Sequence, residues 1–100
     1  MGIRIGGTVM KGETSGHSAS RKASGMWEVS WITGHEVGRN EAITAMVLAE
    51  TVSNKPVTET DPMWPFISGW AAELGMGPEA AILGIRQQAQ RQALGLGGLA

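Results

Sequence analysis

Apolar and polar side chains alternate most clearly in residues 26–33, MWEVSWIT. Trp27, Val29 and Trp31 are separated by single polar residues, and a period of two places them on one face of an extended strand. Residues 2–10 read as an earlier strand with a bend at its paired glycines. The pattern therefore predicts an antiparallel hairpin of strands 2–10 and 26–33, with an aromatic face that needs a cover.

The segment between these strands is polar and rich in glycine and serine: residues 11–25 read KGETSGHSASRKASG. Such a composition predicts a long mobile loop. Arg21 and Lys22 lie in it, flanked by serines, and are candidate contacts for a phosphate group. The alternative for two adjacent basic side chains in a loop is simple solvation.

Downstream of the hairpin, apolar residues recur at helical spacing and predict three helices. The predicted helices are 39–53, 65–75 and 78–94. Asn40 is the expected N-cap of the first helix, because its side-chain oxygen can accept the free N–H groups of the first turn. Gly75 is placed to end the second helix. Residues 95–100, GLGGLA, are expected to form a frayed tail.

Together these elements predict a single small α+β domain over residues 1–100. It consists of a two-stranded antiparallel hairpin with a long Gly/Ser-rich loop, followed by three helices that cover the aromatic face. Charged residues make up 17% of the chain, below the roughly one quarter usual in soluble domains. A subunit interface is one way to need fewer surface charges, so we expect a protein partner or a homo-oligomer.

The strand, turn and first helix also carry a sequence pattern. Trp27-x-Val29-Ser30-Trp31 is followed by Arg39-Asn40-Glu41-Ala42-Ile43-Thr44-Ala45-Met46. This resembles small uncharacterised proteins of actinobacteria and their phages that share a W-x-V-S-W…R-N-[EQ]-A-I-T-A-M pattern. The resemblance spans about a quarter of the chain. It implies a phage or mobile-element source and a shared strand–turn–helix unit, but no activity and no residue roles.

Charge is unevenly distributed along the chain, although the net charge is only −1. Residues 1–40 carry five basic and three acidic side chains, residues 41–79 carry one basic and six acidic, and residues 80–100 add two basic ones. Complementary charge patches affect the encounter and register of partners more than their affinity. The separation of basic and acidic segments could orient subunits or a partner. The alternative is that the surfaces of the helices simply differ in charge, with no functional consequence.

The second and third helices hold the expected partner-binding residues. Trp64, Phe66 and Trp70 are candidates because Trp and Phe are enriched in protein interfaces. Arg86 and Arg91 join them as cations of the last helix. The alternative is that the tryptophans are packing residues of the core.

A DNA-binding regulator is the second functional hypothesis. Helices 65–75 and 78–94 are joined by a short connection and read as a helix-turn-helix-like hairpin over 65–94. Nucleic acid is not the favoured partner, because a chain with a pI near 6.1 lacks the excess of positive charge that binds phosphates.

Side chains able to support catalysis or metal binding are sparse. The chain has no cysteine, which removes thiolate nucleophiles and cysteine–zinc sites. His35-Glu36 lacks a second histidine at helical spacing, and the serines lack a strand-to-helix elbow. We therefore expect no enzyme, no catalytic residue, no cofactor and no metal. Were the protein an enzyme, His35 and Glu36 would be its strongest candidates.

No apolar run approaches the roughly 18 residues that a membrane span needs, and no secretory-type N-terminal segment is present. We expect no membrane partner and a cytoplasmic location, in the host cytoplasm if the protein is phage-encoded. The leading functional hypothesis is therefore a small non-enzymatic protein-interaction module that docks on a host protein or on itself.

Overall fold

The structure, a computed structural model, describes residues 3–32, 34, 36–54 and 57–87. These residues form an antiparallel sheet of four strands and three helices. The strands, which pair in chain order, are β1 (Ile3–Ile5), β2 (Val9–Gly12), β3 (Ser18–Arg21) and β4 (Trp27–Val29). The helices are α1 (Arg39–Asn54), α2 (Trp64–Glu73) and α3, whose described part is 78–87. The predicted α+β class is confirmed.

The predicted two-stranded hairpin is wrong in its details, and the first reason lies at the paired glycines. The sequence pattern indicates only a bend there, but the chain reverses: the Gly6 N–H donates to the Val9 carbonyl at 2.8 Å. Ile5 pairs with Met10 across this reversal. The predicted strand 2–10 is therefore divided between β1 and β2.

The second reason is that the predicted loop 11–25 holds the end of β2 and the whole of β3. Ala19 in β3 pairs with Met10 on one side and with Val29 on the other. All three side chains are buried. A small alanine fills the space between two larger neighbours, so the sequence of β3 shows almost no alternation of apolar and polar residues. Backbone hydrogen bonds to β2 and β4 hold the strand in the sheet.

The last strand is shorter than the predicted strand 26–33. It ends at Val29, whose carbonyl accepts the Ile32 N–H at 3.0 Å in a turn. Trp27 and Trp31 are both buried, as the period of two predicts. Trp31, however, lies beyond the strand, so its burial depends on the helices.

Helix α1 is the central element of the fold, because it contacts all four strands and α2. The indole Nε1 of Trp31 donates to the Ala45 carbonyl of α1 at 3.2 Å. Gly84 of α3 lies against the same ring, since a Cβ there would be 3.5 Å from Cε3 of Trp31. Trp31 is thus packed between α1 and α3 and fixes the position of α3 on the fold.

Helix α1 lies where the sequence predicts it, but its N-cap is different. The helix begins at Arg39, and the Ala42 N–H donates to the Gly38 carbonyl at 2.9 Å. Asn40 lies inside the first turn and is exposed, so its assignment as N-cap is wrong. Instead, Glu41 Oε1 accepts the Gly38 N–H at 3.2 Å, which is the carboxylate half of a capping box.

Helix α2 follows a turn in which Asp61 Oδ1 accepts the Met63 N–H at 2.8 Å. Gly75 has a φ of 76°, the left-handed conformation that ends a helix, as predicted. The described residues 78–87 are helical, in agreement with the predicted third helix. Its predicted end and the tail 95–100 lie outside the described residues.

Candidate functional site

An open groove of about 700 Å³ lies where residues 57–60, the start of α2 and one face of α3 meet. This volume falls within the roughly 300–1,000 Å³ typical of ligand pockets. Most of the lining surface is apolar. The apolar lining residues are Val57, Trp64, Ile82 and Leu83. We call this surface the helical groove.

Helix α3 contributes to both the core and the groove because its residues follow the helical repeat. Ala81 and Ile85 are fully buried. Positions 79, 82, 83 and 86 share a different face, with the spacing i, i+3, i+4 and i+7, and they line the groove. Leu83 on this face is 57% exposed. The groove therefore has an apolar strip that no described residue covers.

Trp64 supplies the α2 side of the groove, and the local chain geometry holds it there. Its N–H donates to the Asp61 carbonyl at 2.9 Å, which closes the turn before the helix. Pro65 follows in the first turn of α2, where a missing N–H needs no partner. Trp64 is half-buried and so is already partly ordered before any partner arrives.

Phe66 and Trp70 form a second apolar feature on α2. Their ring centroids are 6.2 Å apart with an interplanar angle of 40°, as the spacing i, i+4 allows. Phe66 is 58% exposed and Trp70 is half-buried. Neither belongs to the lining of the helical groove, whereas Trp64 does. The three predicted aromatic contacts are thus divided between two surfaces.

The charged side chains on the groove are Glu59, Glu79 and Arg86. None of them forms an ion pair or a hydrogen bond with another described residue. Arg86, a candidate partner-binding residue, is exposed on α3, while Arg91 lies outside the described residues. The described part of the groove therefore presents two carboxylates and one guanidinium around an apolar floor.

The predicted phosphate contacts lie on the sheet, away from the elements that form the groove. Arg21 is the last residue of β3, and Lys22 begins the turn that leads to β4. The Lys22 Nζ lies 3.5 Å from the Glu28 carboxylate. Residues 21–26, which include the end of β3 and this turn, are all exposed, and Met26 is 39% exposed. The turn brings two basic side chains and an exposed methionine together.

The exposed part of α3 does not favour the DNA-binding hypothesis. Base contacts usually come from the first residues of a recognition helix. The first turn of α3 instead exposes Glu79 and Ala80, and a carboxylate repels phosphate. The hairpin over 65–94 as a DNA-binding unit stays a prediction, since its last residues lie outside the described part of the chain.

A buried polar cluster joins the sheet to α3 at His17, which is 1% exposed. Its Nδ1 lies 2.8 Å from Ser30 Oγ, and its Nε2 lies 2.9 Å from the Ile85 carbonyl oxygen. A carbonyl only accepts, so we assign the proton of the neutral ring to Nε2, and Nδ1 accepts from the Ser30 hydroxyl. The Ser18 N–H donates to that hydroxyl at 3.0 Å. The network is fully paired when His17 is neutral.

Burial lowers the pKa of His17 below its usual value, while the hydrogen bond to Ile85 and the charge of Glu50 raise it by smaller amounts. The neutral imidazole is therefore the form that the folded chain favours.

Glu50 of α1, which is 2% exposed, binds the backbone of the turn between β2 and β3. Its Oε1 accepts the Thr14 N–H at 3.0 Å, and its Oε2 accepts the Ser15 N–H at 2.6 Å. A Cβ at Gly12 would lie 2.6 Å from both Glu50 Oε2 and Ser15 Oγ. A side chain at position 12 would therefore displace the Glu50 carboxylate or the Ser15 hydroxyl.

His17 and Ser30 form a hydrogen-bonded pair of the kind used in nucleophilic catalysis, but the geometry fits a structural role. A substrate has no access to an imidazole that is 1% exposed. The Glu50 carboxylate bonds to backbone amides of the turn. We interpret the cluster as a structural hydrogen-bond network that connects the sheet, α1 and α3.

The other candidate chemistry is equally sparse. His35 lies outside the described residues, and Glu36 is exposed, with its Oε1 accepting from the Ser24 hydroxyl at 3.3 Å. The described residues contain no group of three or more His, Cys, Asp or Glu side chains that could hold a metal ion.

Sequence reasoning missed the buried cluster because its members are far apart along the chain and His17 lies in a segment that reads as a loop. One signal was present. Glu50 falls among the apolar positions of α1, next to Ala49 and near Val52. A charge on the buried side of a helix indicates a specific polar partner in the core.

No helix in the described part of the chain is long and apolar enough to cross a membrane. Comparison with protein-family models, with curated proteins and with solved structures gave no match to this chain. A functional interpretation must therefore come from the geometry of the helical groove and the buried cluster.

Proposed function

We propose that this protein is a small non-enzymatic interaction module that docks on a host protein or on a second copy of itself through the helical groove. The observation that carries the proposal is Leu83, an apolar side chain that is 57% exposed in an apolar groove of about 700 Å³. Contiguous exposed apolar surface in a small protein marks an interaction site.

The residue types around the groove support docking. Trp64 and Arg86 belong to the types most enriched among interface hot spots. Trp64 is half-buried, so binding would order little additional side-chain freedom. Phe66 and Trp70 offer a further apolar surface on α2 for a partner larger than the groove.

The non-enzymatic part of the proposal is supported by His17, whose two ring nitrogens are engaged in the protein interior. A phage or mobile-element source and a location in the host cytoplasm are also part of the proposal. Their support is the W-x-V-S-W…R-N-[EQ]-A-I-T-A-M pattern, which resembles proteins of actinobacteria and their phages.

Affinity capture from an actinobacterial extract, quantified by mass spectrometry, tests the proposal. Leu83→Lys places a charge on the apolar strip and is expected to reduce recovery of a specific partner by about tenfold or more, as for loss of a hot spot. Trp64→Ala should act in the same direction. Light scattering on the purified protein tests docking on a second copy.

Ile5→Lys is the matched control, because Ile5 is 46% exposed and lies on β1, at the opposite edge of the sheet from β4. It should leave recovery unchanged. All variants must keep the far-UV circular dichroism spectrum of the wild type. Equal recovery of the same partners by wild type and Leu83→Lys, with no self-association, would refute the proposal. A steep loss of binding with rising salt would instead favour DNA binding.

A further inference from the structure

We propose that the occupant of the helical groove is the β3–β4 turn of a second copy of this chain, with Arg21 and Lys22 of one copy against Glu59 and Glu79 of the other. This inference rests on the proposed docking function of the groove and names its partner.

The turn is a compact projection. All of residues 21–26 are exposed. The Lys22 N–H donates to the Met26 carbonyl at 2.7 Å, and the Gly25 N–H donates to the Lys22 carbonyl at 2.9 Å. Gly25 has a φ of 90°, which favours glycine. A turn closed by its own backbone is already ordered, so inserting it into a groove costs little conformational entropy.

The turn and the groove also match in chemistry. Met26 is 39% exposed, and methionine is a flexible apolar residue that is enriched at interfaces. It lies beside two basic side chains. The groove presents an apolar floor with Leu83 exposed, two carboxylates that have no ion-pair partner among the described residues, and the Arg86 guanidinium. The two carboxylates outnumber the one guanidinium, so the described lining carries a net negative charge that complements the basic turn.

The charge distribution of the whole chain points the same way. Residues 1–40 carry a net charge of +2, from five basic and three acidic side chains. Residues 41–100 carry −3, from three basic and six acidic side chains. The Lys22–Glu28 ion pair is exposed and costs little to exchange for a groove carboxylate. When the β3–β4 turn of one copy lies in the helical groove of another, opposite charges are therefore brought together.

Such a contact joins two different surfaces. Two copies that exchange turns reciprocally form a closed dimer, whereas copies that do not exchange them reciprocally assemble into a ring or a growing chain. The association therefore depends on protein concentration and weakens as salt screens the charges. The low charged fraction of 17% fits a protein that covers part of its surface with copies of itself.

Light scattering and sedimentation on the full chain test the inference. The wild type should increase in mass with concentration. The turn-reversed variant carries Arg21→Glu and Lys22→Glu, and the groove-reversed variant carries Glu59→Lys and Glu79→Lys. Each variant alone opposes like charges and should associate about tenfold or more weakly than the wild type. An equimolar mixture should restore association, because each turn then meets a groove of opposite charge.

Three results would overturn the inference: a wild type that stays monomeric at every concentration, a turn-reversed variant that assembles like the wild type, or a mixture that stays monomeric while the wild type assembles. Unchanged circular dichroism spectra exclude misfolding as the cause. The docking function is judged separately. If the wild type is monomeric but Leu83→Lys abolishes capture of a host partner, only the second copy is excluded; if Leu83→Lys affects neither assembly nor capture, both proposals fail.

Discussion

Replacing His17 by phenylalanine tests the interpretation that the buried cluster ties α3 to the sheet. Phenylalanine keeps a planar ring of similar size but has no ring nitrogen. The His17→Phe variant therefore loses the bonds to Ser30 at 2.8 Å and to Ile85 at 2.9 Å with little change in packing volume. The folded state alone is affected, because water satisfies these groups in the unfolded chain.

The expected loss follows from these contacts. Each hydrogen bond contributes about 1 kcal/mol net, and leaving the half-buried Ser30 hydroxyl without its acceptor costs about 1 kcal/mol more, the low end of the cost for a buried group. We therefore expect the free energy of unfolding to fall by about 3 kcal/mol, against a total of about 5–15 kcal/mol for a typical domain. At about 4–8 °C per kcal/mol for a domain of this size, the melting temperature should fall by roughly 12–24 °C.

Urea denaturation followed by circular dichroism and by the combined fluorescence of the four tryptophans measures this change. Ser24→Ala is the matched control, since it removes an exposed hydroxyl that donates to Glu36 at 3.3 Å; it should change stability by less than about 0.5 kcal/mol. Ser30→Ala should cost less in the His17→Phe background than in the wild type, because the shared bond is already lost.

A His17→Phe protein within about 0.5 kcal/mol of the wild type would refute this reasoning. So would full additivity of the His17 and Ser30 substitutions, which would mean that the two side chains do not interact.

Four further predictions concern pH, two glycine positions and DNA. Because the folded pKa of His17 is lowered, stability should be flat above about pH 6.5 and should fall below it, as the unfolded chain takes up the proton; in acid titrations of stability, His17→Phe should remove this part of the slope. Gly12→Ala should destabilise by about 1–3 kcal/mol in urea, because its Cβ meets Glu50 Oε2 and Ser15 Oγ at 2.6 Å and would displace the carboxylate from its amides. Gly69→Ala, in α2 with open space around it, should instead stabilise by about 0.5–1 kcal/mol. Titration of labelled duplex DNA at several salt concentrations should give only weak binding, and tight, salt-sensitive binding would revive the hairpin over 65–94 as a DNA-binding unit.

The sequence predicts the elements whose side chains repeat with a clear period. Helix α1 and the burial of Trp27 and Trp31 follow directly from periods of 3.6 and 2. Gly75 ends α2 as expected because only its backbone conformation matters there.

Strand β3 could not be predicted from its own residues. Its place in the sheet comes from pairing with Met10 and Val29 on either side, a non-local cause that leaves almost no pattern in Ser18–Arg21. The helical groove has the same origin. Trp64 and Arg86 can each be named from composition, but their place on one surface depends on how α2 and α3 pack.

Photo-crosslinking tests most directly the central claim that the helical groove is the docking surface. Benzoylphenylalanine introduced at position 83 lies in the groove, and at position 5 it lies on the opposite edge of the sheet from β4. If the groove is the docking surface, position 83 gives a discrete crosslinked product that maps to one segment of a partner or of a second copy, and position 5 gives none. Products that are the same from both positions, or a groove position that yields no product, would contradict it.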